Sequence, residues 1–267
     1  MRKEGNLEAY YTQAELWAMD RYEGNTDQRL RARVIASLVD PEVDSILDVG
    51  CGNGFVTRRL VARHIVVGLD PSEAGLAHFS GASVVARGEA LPFADGSFDA
   101  VVCAEVLEHL PEDVFAKAVS ELARVAKTRL VIGVPFRENL LVNMTRCSGC
   151  GQRFHLWLHQ RSFRSPQDLV RLFPGWSQMA LCLVSASSVT PGWLLPYVRK
   201  ALLGSTATSP LARCPRCGSG QPAPSLLQTS GSWGRRLREA LAWRLPQRIQ
   251  PAWMIVLLGR KAAQAGP

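Results

Sequence analysis

Three groups of residues in this 267-residue chain have the types and spacing to do chemistry. The first is a pair of cysteine knuckles, Cys147-Ser-Gly-Cys150-Gly151 and Cys214-Pro-Arg-Cys217-Gly218. A spacing of two residues with a trailing glycine permits the tight turn that aims backbone amides at a thiolate. Together Cys147, Cys150, Cys214 and Cys217 read as the ligands of one structural zinc ion. Disulfides, or a mixed site in which His155 or His159 joins Cys147 and Cys150, are the competing readings. The second group is Glu105-Val-Leu-Glu108-His109. On a helical turn, positions i, i+3 and i+4 share a face, so two carboxylates and an imidazole could converge there. The third group is a glycine turn, Ile46-Leu-Asp48-Val-Gly50-Cys-Gly52-Asn-Gly54, followed by an apolar run that ends in Asp70. Glycines let a ligand lie against bare amides, and an acid ending the next strand is placed to accept hydrogen bonds from a ribose.

The elements that must hold these groups alternate strand and helix, which argues for a parallel sheet with right-handed crossovers. The patterning predicts strands over Ser45–Val49, Ile65–Asp70, Ser83–Arg87, Asp99–Cys103 and Arg129–Val134, and helices starting near Phe55, Ser72 and Pro111. Ser165-Pro-Gln-Asp168 reads as a capped helix start, with the helix running to about Phe173. Ser177–Ser185 and Ala252–Gly259 are the sixth and seventh strands. Residues 7–38 carry helix patterning, from Leu7 onward; Tyr10, Tyr11 and Trp17 either line a pocket or pack that segment down.

From about Tyr10 to Phe173, these motifs together with Leu91-Pro-Phe-Ala-Asp-Gly-Ser-Phe-Asp99 resemble the class I S-adenosylmethionine-dependent methyltransferases. The similarity is to bacterial type 11 members, some of which serve polysaccharide and natural-product pathways. The resemblance implies an α/β fold: a Rossmann-like, doubly wound seven-stranded sheet, its seventh strand antiparallel between the fifth and sixth. It implies that Asp48 and the amides near Gly50 and Gly52 hold the methionine part of the cofactor, that Asp70 takes the ribose hydroxyls, and that adenine lies near Gly88-Glu89-Ala90. Cys103, at the end of the fourth strand, is counted with these cofactor-binding candidates, although its surroundings are those of a buried small hydrophobe. The chain departs from the family at Arg87, where an acidic residue is common; Glu89 would then receive the adenine amine.

The spacing Glu105, Glu108, His109 looks like that of ubiquinone-pathway O-methyltransferases and small-RNA 2′-O-methyltransferases. In those families it holds a divalent cation, Mg2+ or another, that acidifies the acceptor hydroxyl. The latter family adds a later histidine, for which His155 and His159 are candidates. A metal-free role for His109 or His159 as base or substrate contact, and plain helix capping, are the alternatives. Glu105, His109 and His159 are therefore the catalytic candidates. The expected function is O-methylation of a small-molecule, natural-product or glycan hydroxyl. The alternatives are an RNA methyltransferase and a non-catalytic cofactor-binding scaffold.

Charge divides the chain. Residues 1–133 hold 14 Lys/Arg and 20 Asp/Glu, whereas residues 134–267 hold 17 and 3, leaving the second half strongly basic. Such a half suits an anionic partner (nucleic acid, phospholipid or a lipid-linked glycan) or a solvated surface. Trp233, Leu237, Leu241 and Leu245 recur every four residues with arginines between them, a pattern compatible with peripheral membrane contact. The uncharged stretch 172–198 is broken by prolines and glycines, so a strand and loop are expected rather than a span. The expected location is the cytoplasm. The expected organisation is a helical cap over 1–40, a core over 41–188 completed by 251–261, and zinc-knuckle and basic lid insertions at 136–160 and 189–250.

Overall fold

The structure, a computed structural model, describes residues 10–185, 187–189, 211–220 and 248–261. Leu7 and the apolar-basic segments at 193–203 and 233–245 lie outside them. The chain divides into two compact units. The sheet unit comprises residues 12–138, 161–185 and 252–267; the knuckle unit comprises 1–11, 139–160 and 186–251.

The sheet unit begins with a 3-10 turn at Ala14–Leu16, then α1 (Met19–Glu23) and α2 (Thr26–Leu38), the latter capped by Asn25, whose side chain accepts from the amides of Asp27 and Gln28. The sheet follows: β1 (Ser45–Val49), β2 (Ile65–Asp70), α3 (Glu73–Leu76), β3 (Ala82–Val85), β4 (Phe98–Ala104), α4 (Glu112–Val125) and β5 (Ala126–Pro135). In the knuckle unit, β6 (Met144–Arg146) and β7 (Arg153–His155) form a small antiparallel pair. Back in the sheet unit come α5 (Pro166–Val170) and β8 (Trp176–Val184); β9 (Ser187–Val189) and β10 (Arg248–Gln250) then pair in the knuckle unit, and β11 (Trp253–Arg260) completes the sheet. The strand order is β3-β2-β1-β4-β5-β11-β8, and β11 runs antiparallel to both neighbours, as the resemblance implied. Both faces are apolar: one packs Leu47, Val49, Leu122 and Ile132, the other Ile35, Ile46, Val102 and Ile255. Strands buried on both sides are what the near-continuous apolar runs of a parallel sheet require.

Two sequence expectations are adjusted, those for the segments from Phe55 and from Ser165. The helix expected from Phe55 is a series of turns with one 3-10 turn at Thr57–Arg59, because the Arg59 guanidinium takes the Phe55 carbonyl that an α-turn would use. Pro111 is the N-cap of α4, which starts where expected, and Glu112 and Asp113 lie at its positive end. The Ser165 cap is a full capping box with Asp168, but α5 stops at Val170 and continues to Phe173 only as turns. The uncharged stretch from 172 enters β8, and no helix among the described residues is long and apolar enough to cross a membrane.

Two polar clamps fix the segments that lead into β1, β4 and β5 at their amino ends. The Asp99 carboxylate accepts from both the amide and the hydroxyl of Ser45, tying β4 to β1 and holding its own pKa below the usual range. Arg124 donates to the carbonyls of Leu91 and Phe93 and to Asp95 and Glu121, so the Leu91–Asp99 motif is wrapped around one guanidinium.

Candidate functional site

At the carboxyl ends of β1 and β2, the chain turns through Gly50, Gly52 and Gly54, all at positive φ (74°, 52° and 75°), a region that only glycine enters cheaply. Asp48 is buried and accepts from the Thr57 hydroxyl; burial pushes its carboxyl up to about 6, against the lowering effect of that hydrogen bond. Asp70 is buried too, and burial raises its pKa although the amides of Ser72 (2.8 Å) and Gly52 (2.9 Å) donate to it. The amides of Gly50 and Cys51 donate to the Leu69 carbonyl at 2.7 and 3.2 Å. The turn is therefore closed on itself, and the amides assigned to the cofactor are spent internally. Further along the same edge, Arg87 and Ala90 are exposed, Glu89 is half-buried, and Ala90 closes a turn onto the Arg87 carbonyl. Cys103 is fully packed, and burial drives its thiol well above the ordinary range, so it is a filler beside the site.

After β4, Glu105 takes a positive φ of 59° while its amide donates to the Gly133 carbonyl at 2.9 Å. Its carboxylate is held by Arg31 of α2 at 2.7 Å and by the Trp253 indole N–H at 3.0 Å, and the Arg31 guanidinium also lies 5.2 Å from the Trp253 ring centre. Arg31 itself is only 7% exposed. The sequence pointed to Glu105 but not to Arg31 or Trp253; a lone arginine inside an amphipathic helix carries no signal of burial. The pairing turns Glu105 into a strut linking α2, β4 and β11, a poor fit to the divalent-cation role. Glu108 differs. It is 0% exposed, neither of its carboxylate oxygens has a hydrogen-bond partner among the described residues, and the nearest opposite group is His109 Nε2 at 3.9 Å. Burial, and then the neighbouring Glu105, raises its pKa well above the normal range.

The knuckle unit holds His155 and His159, whose rings stack 4.7 Å apart while the His159 amide approaches His155 Nδ1 at 3.2 Å. Tyr10 and Tyr11 belong to this unit and pack edge to face; Trp17 belongs to the sheet unit. The four knuckle sulfurs lie within 4.8 Å of one another, with Cys147–Cys217 at 3.5 Å and Cys150–Cys214 at 3.6 Å. None is in a disulfide. A tetrahedral zinc–thiolate site spaces its sulfurs about 3.8 Å apart. The two loops are copies of one another. Gly151 and Gly218 share φ values of 72° and 73°; each donates to the carbonyl of the first cysteine in its loop, whose own amide donates to the residue after the glycine. Burial opposes ionisation of Cys147, but hydrogen bonds from the Cys150 amide, the Cys217 thiol and the Gly149 amide outweigh it and hold that thiol at about 6. Burial pushes Cys214 the other way, up to about 12.

The seven-stranded order with one reversed strand, and the acid-ended strands around the glycine turn, define the fold class. They are those of the class I S-adenosylmethionine-dependent methyltransferases. Residues 47–130 match the methyltransferase domain family of type 11. It is 42% identical over 93 residues to the ubiquinone biosynthesis O-methyltransferase of Hahella chejuensis, a match covering 31% of this chain and 38% of that protein. The chain thus spans less than two fifths of the curated relatives it matches. Among solved structures, it is similar in fold to a chain in the complex between the Trm112 methyltransferase activator and a methyltransferase of Haloferax volcanii, at a TM-score of 0.55, 15% identity, and coverage of 94% of this chain and 97% of that one. It is also similar to magnesium protoporphyrin IX methyltransferase of Synechocystis PCC 6803 with bound SAH, at a TM-score of 0.51, 16% identity, and coverage of 67% and 92%.

Proposed function

We propose that this chain transfers a methyl group from S-adenosylmethionine to a hydroxyl oxygen of a small molecule, natural product or glycan, and that Cys147, Cys150, Cys214 and Cys217 hold a structural zinc ion. The observation that carries the first part is the match of residues 47–130 to the methyltransferase domain family, with Asp48 and Asp70 at the two strand ends where the donor's polar groups need acceptors. The choice of oxygen leans on the Hahella chejuensis relative, an O-methyltransferase. The donor supplies an electrophilic methyl group on a sulfonium. The chain's task is alignment: Asp70 offers carboxylate oxygens to a diol, Asp48 fixes the turn through Thr57, and the Arg124 clamp holds the Leu91–Asp95 segment that follows Glu89 and Ala90. His109, beside the buried Glu108, is the nearest imidazole on β4's outgoing loop and is assigned to the acceptor proton. The zinc assignment rests on the paired knuckles and their sulfur spacing.

The basic second half favours one further reading, an anionic acceptor such as RNA. Calorimetric titration with S-adenosylhomocysteine tests the donor site: wild type should bind, and Asp70→Asn should bind roughly tenfold more weakly, the loss of one charge-assisted hydrogen bond. Unchanged affinity in the variant removes the ribose contact. Methyl transfer from labelled donor to phenolic or sugar hydroxyls, but not to bulk RNA, is the expected outcome; label in RNA alone would reverse the choice of acceptor.

A further inference from the structure

The glycine turn is cradle-shaped, yet the chain's own side chains lie in it. A Cβ built on Gly52 would overlap the six-membered ring of Trp17, and one on Gly50 would overlap the Cγ2 of Val106. The same indole reaches across to α3, where a Cβ on Gly75 would stand 3.2 Å from Trp17 Cε2. Trp17 is 8% exposed, and its carbonyl accepts a hydrogen bond from the Asn53 side-chain amide at 2.8 Å, so it is docked on the turn by both ring and backbone. Glycine is needed at positions 50 and 52 for the left-handed backbone, but two flat, bare Cα faces are also what lets an indole or a ligand approach. Both cannot occupy the Gly52 face at once.

The segment that carries Trp17 is lightly anchored. It is a 3-10 turn followed by a helix of five residues, too short to be stable by itself. Among its ties are the Tyr22 hydroxyl to the Leu16 carbonyl at 3.2 Å, which is internal to the segment, the Tyr22 ring against Phe55, the Arg29 guanidinium to the Glu23 carbonyl, and a largely exposed Glu23–Arg58 ion pair. Exposed pairs of that kind hold weakly. The amide accounting agrees: with Trp17 in place, the Gly50, Cys51 and Gly52 amides are all satisfied by Leu69 and Asp70, so the turn is complete without a ligand.

We infer that Trp17 is a plug: the indole fills the Gly52 face of the cradle, and the Ala14–Glu23 segment must swing aside before the sulfonium donor can lie on the turn. The inference rests on the donor reading above and adds a closed state to it. A protein whose binding-competent form is only fractionally populated binds with an apparent affinity reduced by that fraction. Removing the plug therefore speeds association whatever contacts Trp17 makes once it has moved.

The test uses the full chain and S-adenosylhomocysteine as probe, with association followed by stopped flow in wild type, Trp17→Ala and Trp17→Leu. The plug predicts a wild-type observed rate that saturates with probe concentration, and an association rate roughly tenfold or more faster in Trp17→Ala, the factor by which a competent fraction of a tenth or less would rise. Trp17→Leu, which clears part of the ring's volume, should fall between. Equal or slower association in both variants overturns the plug while leaving the donor reading intact. If neither variant folds, hydrogen exchange on wild type decides: probe binding should lower protection across Ala14–Glu23, and unchanged or higher protection there overturns the plug. Absence of binding by every form at millimolar probe removes the donor reading and the plug together.

Discussion

Between β5 and β11 the sheet unit pairs Leu130, Ile132 and Val134 with Leu258, Val256 and Met254 on one buried apolar face, and Val131 and Ile255 pack on the other. The described part of the knuckle unit offers less: Tyr10, Phe154, Leu156, Leu158, Leu211 and Ala212 are buried beside two short antiparallel strand pairs and four sulfurs. The sheet unit removes enough apolar area from water to stand without help, whereas a small unit of this kind needs a staple. The difference predicts that the two units fail separately and for different reasons.

The sharpest way to separate them is to remove the staple. Cys150→Ser with Cys217→Ser, one thiolate from each loop, should take bound zinc from one per chain to none. Structural zinc sites contribute about 10 kcal/mol or more of apparent folding free energy, so amide protection across Met144–His155 should be lost. The β5–β11 ladder should keep its protection. Elemental analysis and hydrogen exchange read both halves of the claim; retained protection at β6 and β7 in the metal-free variant would show that apolar burial alone holds the knuckle unit.

The converse break lies in the sheet unit. Arg31→Ala leaves Glu105 facing only the Trp253 indole, and breaking a buried ion pair costs about 3 kcal/mol. Urea unfolding should show this loss, and adding Glu105→Ala should recover part of it, because the cost lies in the orphaned charge. Full additivity of the two substitutions would mean that the strut carries no coupling. Zinc content should not change in either variant.

The sheet was largely legible in the sequence because its central strands are dense apolar runs closed by a glycine, an acid or a proline: Ile46–Val49 ends in Gly50, Val66–Leu69 in Asp70, Ala100–Ala104 in Glu105 and Leu130–Val134 in Pro135. The paired knuckles were legible for the same reason, being local patterns with fixed spacing. What spacing could not show were partners distant in the chain. Trp17 against Gly52, Arg31 with Glu105, and Trp253 closing that pair all join residues separated by at least thirty positions. Glu105 and Glu108 look alike on a helical wheel, yet one is paired and the other is not, and only the packing decides which. The helix expected at Phe55 failed for a similar reason, since the guanidinium that captures its carbonyl competes with the backbone in a way that periodicity does not register.

That contrast between Glu105 and Glu108 yields the smallest effect and the finest test of where the sheet unit is compromised. The folded state holds Glu108 protonated to well above the normal range, by burial first and by Glu105 second, whereas the unfolded chain ionises it near about 4.3. Above that value the folded state binds the extra proton, so stability falls as pH rises. Glu108→Gln keeps the shape and removes the titration. Its melting temperature should match wild type near pH 4 and exceed it progressively toward pH 7, by roughly 2–4 °C for each kcal/mol of penalty relieved. A difference that stays flat across that window would mean that Glu108 finds a partner in solution. The unpaired carboxyl beside His109 would then no longer distinguish this mouth of the sheet from its well-satisfied neighbour at Asp70.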